Sequence, residues 1–260
     1  RRFEDSLHAH QTARNLHQQT RDTNSEATAW NNLGNTLKDL RRFEDSLHAH
    51  QTARNLHQQT RDTNSEATAW NNLGNTLKDL RRFEDSLHAH QTARNLHQQT
   101  RDIHGEASAW NNLGNALQSL RRFDDALHAH QTARDLYHQV GDTHGEATAW
   151  NNLGTAYRGL GRVDEAVVAG KQAVAMLAAT RDWFYTGEAW GELATTLTAA
   201  DADTDQVRDA WEQSAQAYTQ AGADEEAAAS QEHANSTESV ETHLPAVTDL
   251  PEKGAASESG

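Results

Sequence analysis

Apolar residues recur along this chain at steps of three and four, which is the spacing of one face of an α-helix. In residues 22–61 a first stripe is formed by Ala29, Trp30, Leu33, Gly34 and Leu37, and a second by Phe43, Ser46, Leu47, His50, Ala53 and His57. We expect the first helix to end near Leu40–Arg41 and the second to run from about Arg42 to Arg61. The short turn between them predicts an antiparallel pair of helices.

This two-helix pattern returns every 40 residues, and residues 1–40 are identical to residues 41–80. The tryptophans that mark the period are Trp30, Trp70, Trp110, Trp150 and Trp190. A fixed period of this size indicates a solenoid, in which each unit buries its apolar face against its neighbours. Identical units present identical side chains, whereas an enzyme site needs a unique arrangement, so we expect no enzymatic activity.

The order of residues within one unit resembles a known repeat signature. Trp30-x2-Leu33-Gly34-x2-Leu37, followed by Ser46-x3-His50 and Ala53, is similar to the tetratricopeptide repeat. The period of 40 looks like the longer-helix variety found in kinesin light chain and in bacterial signalling proteins, and a histidine stands where an aromatic residue is expected. The resemblance implies an all-α, right-handed superhelical solenoid of antiparallel helical hairpins that binds proteins or peptides.

The pattern divides the chain into four parts. We expect a second helix of a truncated repeat in residues 1–22, and about five hairpins in residues 23–222, of which the last is degenerate. A capping helix is expected in residues 223–234, because terminal solenoid units need a polar outer surface. Residues 235–260 lack apolar periodicity, which predicts a disordered acidic tail. The chain begins partway through a repeat, so we also expect further repeats or another domain upstream.

In the family that the chain resembles, the first helix of each hairpin lines the concave groove. Polar residues beside its buried stripe repeat with the period and predict a peptide-binding site, because an asparagine amide can donate to and accept from a peptide backbone at once. The predicted contacts are Asn31, Asn35, Lys38, Asn71, Asn75, Lys78, Asn111, Asn115, Asn151 and Arg158. The basic residues of this set would attract an acidic segment.

A structural alternative exists for part of this polar surface, since Asn32 and its copies could fix neighbouring hairpins through hydrogen bonds. Thr155, Gly191 and Thr195 interrupt the asparagine pattern. We therefore expect the groove to lie within the first four repeats. Arg54 and Arg61 are expected on the solvated outer face.

The sequence contains 16 histidines, many of them in His-Ala-His triplets such as His8-Ala9-His10. Two histidines at i and i+2 point to different sides of a helix, whereas helical metal pairs sit at i and i+3 or i+4. We therefore predict neither a metal site nor a cofactor. A half-buried packing histidine should stay neutral in the folded chain, which predicts lower stability at acidic pH.

Composition and charge narrow the choice of partner. The net charge is −15, of which residues 201–260 carry −12, so nucleic acid is not an expected partner. No apolar run is long enough to span a membrane. The absence of cysteine fits a reducing, cytoplasmic environment. The sequence leaves the oligomeric state undetermined.

Two functional hypotheses fit these observations. The first is a non-enzymatic scaffold that binds an extended peptide or protein segment in its concave groove. The alternative is the sensing or regulatory arm of a larger signalling protein, with an ATPase or transcription-regulator domain upstream. The sequence contains no phosphate loop, nucleophile elbow or zinc-protease motif of its own.

Overall fold

A computed structural model describes residues 2–241 of the chain and the side chains of residues 7–237. Within this range the chain forms twelve helices and no strand. Their bounds are α1 Arg2–Thr20, α2 Thr23–Asp39, α3 Phe43–Thr60, α4 Thr63–Asp79, α5 Phe83–Thr100, α6 Ile103–Ser119, α7 Phe123–Val140, α8 Thr143–Gly159, α9 Val163–Thr180, α10 Trp183–Ala199, α11 Thr204–Ala221 and α12 Asp224–Glu241. None of them is both long and apolar enough to cross a lipid bilayer.

Each helix packs against the next one along the chain. The pairs α2–α3, α4–α5, α6–α7, α8–α9 and α10–α11 are antiparallel hairpins joined by short turns. The stack of hairpins confirms the predicted all-α solenoid. The observed ends of α2 and α3 lie within about two residues of the predicted ones, as is usual for helix termini.

A capping aspartate precedes the first helix of each of the first four hairpins, and a left-handed residue follows the second helices. The Asp62 carboxylate accepts a hydrogen bond from the Ser65 amide at 3.1 Å, which satisfies a free N–H of the first turn. After α3, Arg61 adopts a φ of 59°, and after α7 Gly141 takes the equivalent position with a φ of 73°. A left-handed conformation strains an arginine but not a glycine. These residues stop one helix and turn the chain into the next.

Leucine and alanine fill the core between hairpins, and each repeat tryptophan packs at its edge. Leu73, Leu77 and Ala89 are buried together, with Trp70 against them. The Arg54 guanidinium lies over the Trp70 ring, 4.6 Å from its centroid, and the side chain is half-buried. Its placement on the solvated outer face stays a prediction. A cation over an indole contributes about 0.5–1 kcal/mol at a partly exposed site. The contact joins α3 of one hairpin to α4 of the next.

The glycine of each first helix makes room for a histidine ring. A Cβ added to Gly74 would lie 2.5 Å from the Cε1 atom of His90. In the fourth hairpin the histidine position is Gly170, and a Cβ on Gly154 would meet backbone no closer than 3.4 Å. In the fourth hairpin the second helix therefore approaches the first without a ring between them.

The two ends of the described chain are helical. Helix α1, in the segment predicted as part of a truncated repeat, packs against α2. Helix α12 packs against α11 and runs to Glu241, beyond the predicted end of the capping helix at residue 234. The remaining residues of the predicted disordered tail, 242–260, lie outside the described residues.

Candidate functional site

The first helices of the hairpins line the inner side of the stack. Helices α2, α4, α6, α8 and α10 contact one another in succession, whereas within the described chain successive second helices do not pack to a comparable extent. In a curved stack the row of helices that lie closer together is on the concave side. These contacts agree with the first helices lining the concave side, and the position of their polar stripe on the concave face stays a prediction.

Three of the predicted asparagine contacts belong to an internal hydrogen-bond network. The Asn71 Oδ1 atom accepts from His90 Nδ1 at 2.8 Å and from Asn112 Nδ2 at 3.1 Å. The same arrangement recurs at each of the first three hairpins. We call it the Asn–His network, and its members are Asn31, His50, Asn72, Asn71, His90, Asn112, Asn111, His130 and Asn152.

The Asn–His network joins the first four hairpins to one another, as the structural alternative for the copies of Asn32 predicted. It occupies the amide oxygens of Asn31, Asn71 and Asn111, and only 7% of Asn111 is exposed. Peptide binding by these three residues stays a prediction, for which only their amide N–H groups remain available. The Asn71 amide already donates to Ser108 Oγ at 3.3 Å.

The histidines of the network are neutral. An asparagine oxygen can only accept, so the Nδ1 atom of each histidine carries the proton and its Nε2 atom lies buried without a hydrogen-bond partner. Burial lowers the pKa of His90 and of His130 to about 3. Burial, assisted by the positive charge of Lys38, lowers the pKa of His50 to about 4. Within the part of the chain that the structure describes, no three acidic or histidine side chains converge as metal ligands would.

Five of the other predicted contacts are partly exposed. Asn35, Asn75 and Asn115 are each half-buried, and between residues 7 and 237 no hydrogen-bond partner holds their side-chain amides. Lys38 and Lys78 are also half-buried and unpaired with any described acid. These five residues form a row that repeats with the hairpins, which we call the Asn–Lys row.

Arg158 and Gln118 stand where the Asn–Lys row would continue, and both connect hairpins. The Arg158 Nη2 atom donates to Glu192 Oε2 at 2.9 Å. Gln118 Nε2 donates to the backbone oxygen of Asn152 at 2.8 Å. The charge of Arg158 is thus balanced within the protein, which weakens the predicted attraction for an acidic segment at this position.

A cavity of about 530 Å³ opens where the Asn–His network ends, between α8, α10 and α11. We call it the C-terminal cavity, and the lining residues that matter here are Asn151, Tyr185, Glu188, Glu192, Trp211 and Tyr218. Sequence reasoning missed all of them except Asn151, because it took the loss of asparagine at Gly191 as the end of the groove. The replacement of the repeated asparagine by Gly191 was the sequence signal that could have indicated a cavity at this position.

The repeats match the family model of the tetratricopeptide repeat over residues 25–99 and 105–179, together more than half of the sequence. The chain belongs to the tetratricopeptide-repeat family. This confirms the resemblance read from the tryptophan, leucine and glycine positions. No curated protein sequence matches the chain significantly.

Solved structures of other tetratricopeptide-repeat arrays share the fold at low sequence identity. BtubC (BKLC) from P. vanneervenii is 15% identical with a TM-score of 0.61, and the match covers 99% of this chain and 98% of that one. A Rap protein in complex with competence and sporulation factor is 16% identical with a TM-score of 0.66, covering 92% of this chain and 71% of that one. A signal transduction ATPase with a tetratricopeptide-repeat sensor from Pyrococcus horikoshii is 13% identical with a TM-score of 0.70, covering 87% and 34%.

Proposed function

We propose that this tetratricopeptide-repeat array is a non-catalytic interaction scaffold that holds an extended segment of another protein along its concave face. The observation that supports it best is the Asn–Lys row. Asparagine is a poor helix former, yet Asn35, Asn75 and Asn115 sit within helices with no internal partner among the described residues. Each amide can donate to and accept from a peptide backbone, which offers such groups at regular intervals.

The Asn–His network would hold this row in register. Its hydrogen bonds connect consecutive first helices, so the spacing between Asn35, Asn75 and Asn115 is fixed before a ligand arrives. Pre-organised groups lose less conformational freedom on binding. The lysines beside them add attraction for acidic residues of the ligand. A cytoplasmic location is part of the proposal and rests on the cysteine-free composition.

A display library of random linear peptides, selected on the full chain, tests the proposal. The variant Asn35→Ala/Asn75→Ala/Asn115→Ala should bind the selected peptides at least about tenfold more weakly, because each lost hydrogen bond is worth about 1 kcal/mol. The matched control is Asn15→Ala/Asn55→Ala/Asn95→Ala, which removes three exposed asparagines from second helices. Equal binding by both variants, or no selected peptide at all, contradicts the proposal.

A second candidate function is the sensing arm of a larger signalling protein. The similarity to the tetratricopeptide-repeat sensor of the Pyrococcus horikoshii ATPase favours it, since this chain covers 34% of that protein. Sequencing the complete coding region would test it. A phosphate-loop ATPase or a DNA-binding domain joined to the array supports the sensor function, and a coding region without either contradicts it.

A further inference from the structure

The C-terminal cavity exists because the fourth and fifth hairpins depart from the repeat. Gly170 replaces the histidine of the Asn–His network, and Gly191 replaces its first asparagine. On α11 the histidine position is taken by Trp211, whose ring would lie 3.3 Å from a Cβ on Gly191. The asparagine–histidine pair of the earlier hairpins is thus absent, and the amide of Asn151 lines the cavity without a described hydrogen-bond partner.

The cavity carries an uncompensated negative charge. Glu192 is paired with Arg158, but no described ion pair or hydrogen bond neutralises the Glu188 carboxylate one turn earlier on α10. Loss of solvent around the carboxyl group, and then the charge of Glu192, raise the pKa of Glu188. Burial, followed by the charges of Glu188, Glu226 and Glu192, raises the pKa of Tyr218 to about 12. A positive charge placed here would relieve both effects.

Aromatic rings form the walls around this charge. Tyr185, Trp211 and Tyr218 all line the cavity, and 41% of Tyr185 is exposed. The faces of aromatic rings attract cations, and carboxylates form charge-assisted hydrogen bonds with guanidinium and ammonium groups. The combination of a partly open cavity, aromatic rings in its lining and an unpaired carboxylate is complementary to a long cationic side chain.

We infer that the C-terminal cavity receives an arginine or lysine side chain of the protein ligand, an inference that rests on the proposed function. The Asn–Lys row would then hold an acidic part of the same segment and the cavity a basic residue that follows or precedes it. Opposite charges at the two ends of the groove would fix the direction in which the segment lies, because the reversed segment would place like charges together.

Isothermal titration of the full chain with a capped arginine tetrapeptide tests the cavity directly. The comparison peptide carries citrulline, which keeps the shape of arginine without its charge. We expect the arginine peptide to bind more tightly than the citrulline peptide. Glu188→Gln should weaken arginine binding about tenfold, since it removes a charge-assisted contact. The matched control is Glu212→Gln, the same charge change at an exposed position of α11 that does not line the cavity.

A second cavity variant makes the test independent of any folding defect in the first. Thermal melting followed by circular dichroism shows whether each variant is folded. Tyr185→Ala should weaken the arginine peptide about threefold by removing one ring face. Equal binding of the arginine and citrulline peptides overturns the inference. Equal weakening by Glu188→Gln and Glu212→Gln also overturns it, because that result indicates general charge attraction.

The failure of this inference differs from the failure of the proposed function. If library peptides bind through the Asn–Lys row but Glu188→Gln has no effect on them, only the cavity inference fails. If the arginine peptide binds the cavity and the library yields no peptide that needs Asn35, Asn75 and Asn115, only the proposed groove fails.

Discussion

Acidification should destabilise the array, because three buried histidines cannot accept a proton without leaving their sites. His50, His90 and His130 are fully buried, with their Nε2 atoms away from any described partner. Their folded pKa values of about 4, 3 and 3 lie below the ordinary value of 6.5. At a pH between the folded and the ordinary histidine pKa, the unfolded chain binds more protons than the folded chain. The free energy of unfolding therefore falls as the pH falls.

The size of the effect follows from this difference in pKa. The stabilisation is complete above the unfolded pKa and is lost progressively below it. From about pH 7.5 to about pH 5 each histidine should lose about 2 kcal/mol, since one pKa unit corresponds to about 1.4 kcal/mol. Three histidines together give about 6 kcal/mol if the array unfolds as one unit, a large part of the stability of a typical domain.

Urea unfolding followed by far-ultraviolet circular dichroism at both pH values measures this loss. The test variant His50→Phe/His90→Phe/His130→Phe keeps a ring against each glycine and removes the titrating group. Each substitution should cost about 1 kcal/mol at neutral pH, because the hydrogen bond to asparagine is lost. Between about pH 7.5 and about pH 5 the parent should lose about 6 kcal/mol of unfolding free energy, about 2 kcal/mol per histidine. The variant should lose only a small part of that amount.

The matched control replaces three exposed histidines of the same helices by phenylalanine. These histidines lie two residues before the buried ones and are His48, His88 and His128. Each of these stacks edge-on against a repeat tryptophan, a contact that phenylalanine can keep. The control should lose as much stability on acidification as the parent. An unchanged pH dependence in the buried-histidine variant would refute the reasoning.

Two further predictions concern glycine positions. Gly74→Ala should lower the free energy of unfolding by about 1–3 kcal/mol, because the added Cβ overlaps the His90 ring. Gly154→Ala, which meets no such ring, should stay within about 1 kcal/mol of the parent. Urea denaturation compares the two variants, and equal losses of stability would contradict this packing. Arg61→Gly should raise the free energy of unfolding by about 1 kcal/mol, since glycine adopts the left-handed conformation without strain, as at Gly141; a lower midpoint of urea denaturation would contradict this.

The helices, the hairpins and the 40-residue period could be predicted from the sequence, because they depend on the spacing of apolar residues along the chain. The stripe of Trp30, Leu33 and Leu37 fixes one buried face, and capping aspartates fix where the first helices of the first four hairpins begin. Repetition then left few possible folds, since every unit has to bury its stripe against an identical neighbour. The concave placement of Asn35 came from the family resemblance, and the contacts between successive first helices agree with it.

Only the tertiary structure decided what each polar residue of the concave face does. Asn31 and Asn35 look alike in sequence, but Asn31 meets His50 and Asn72, which lie 19 and 41 positions away. Asn35, one turn further along, meets neither. The C-terminal cavity likewise depends on Trp211, brought against Gly191 from another helix. Side-chain spacing along one helix fixes which face is buried, but the partners across helices depend on how the hairpins stack.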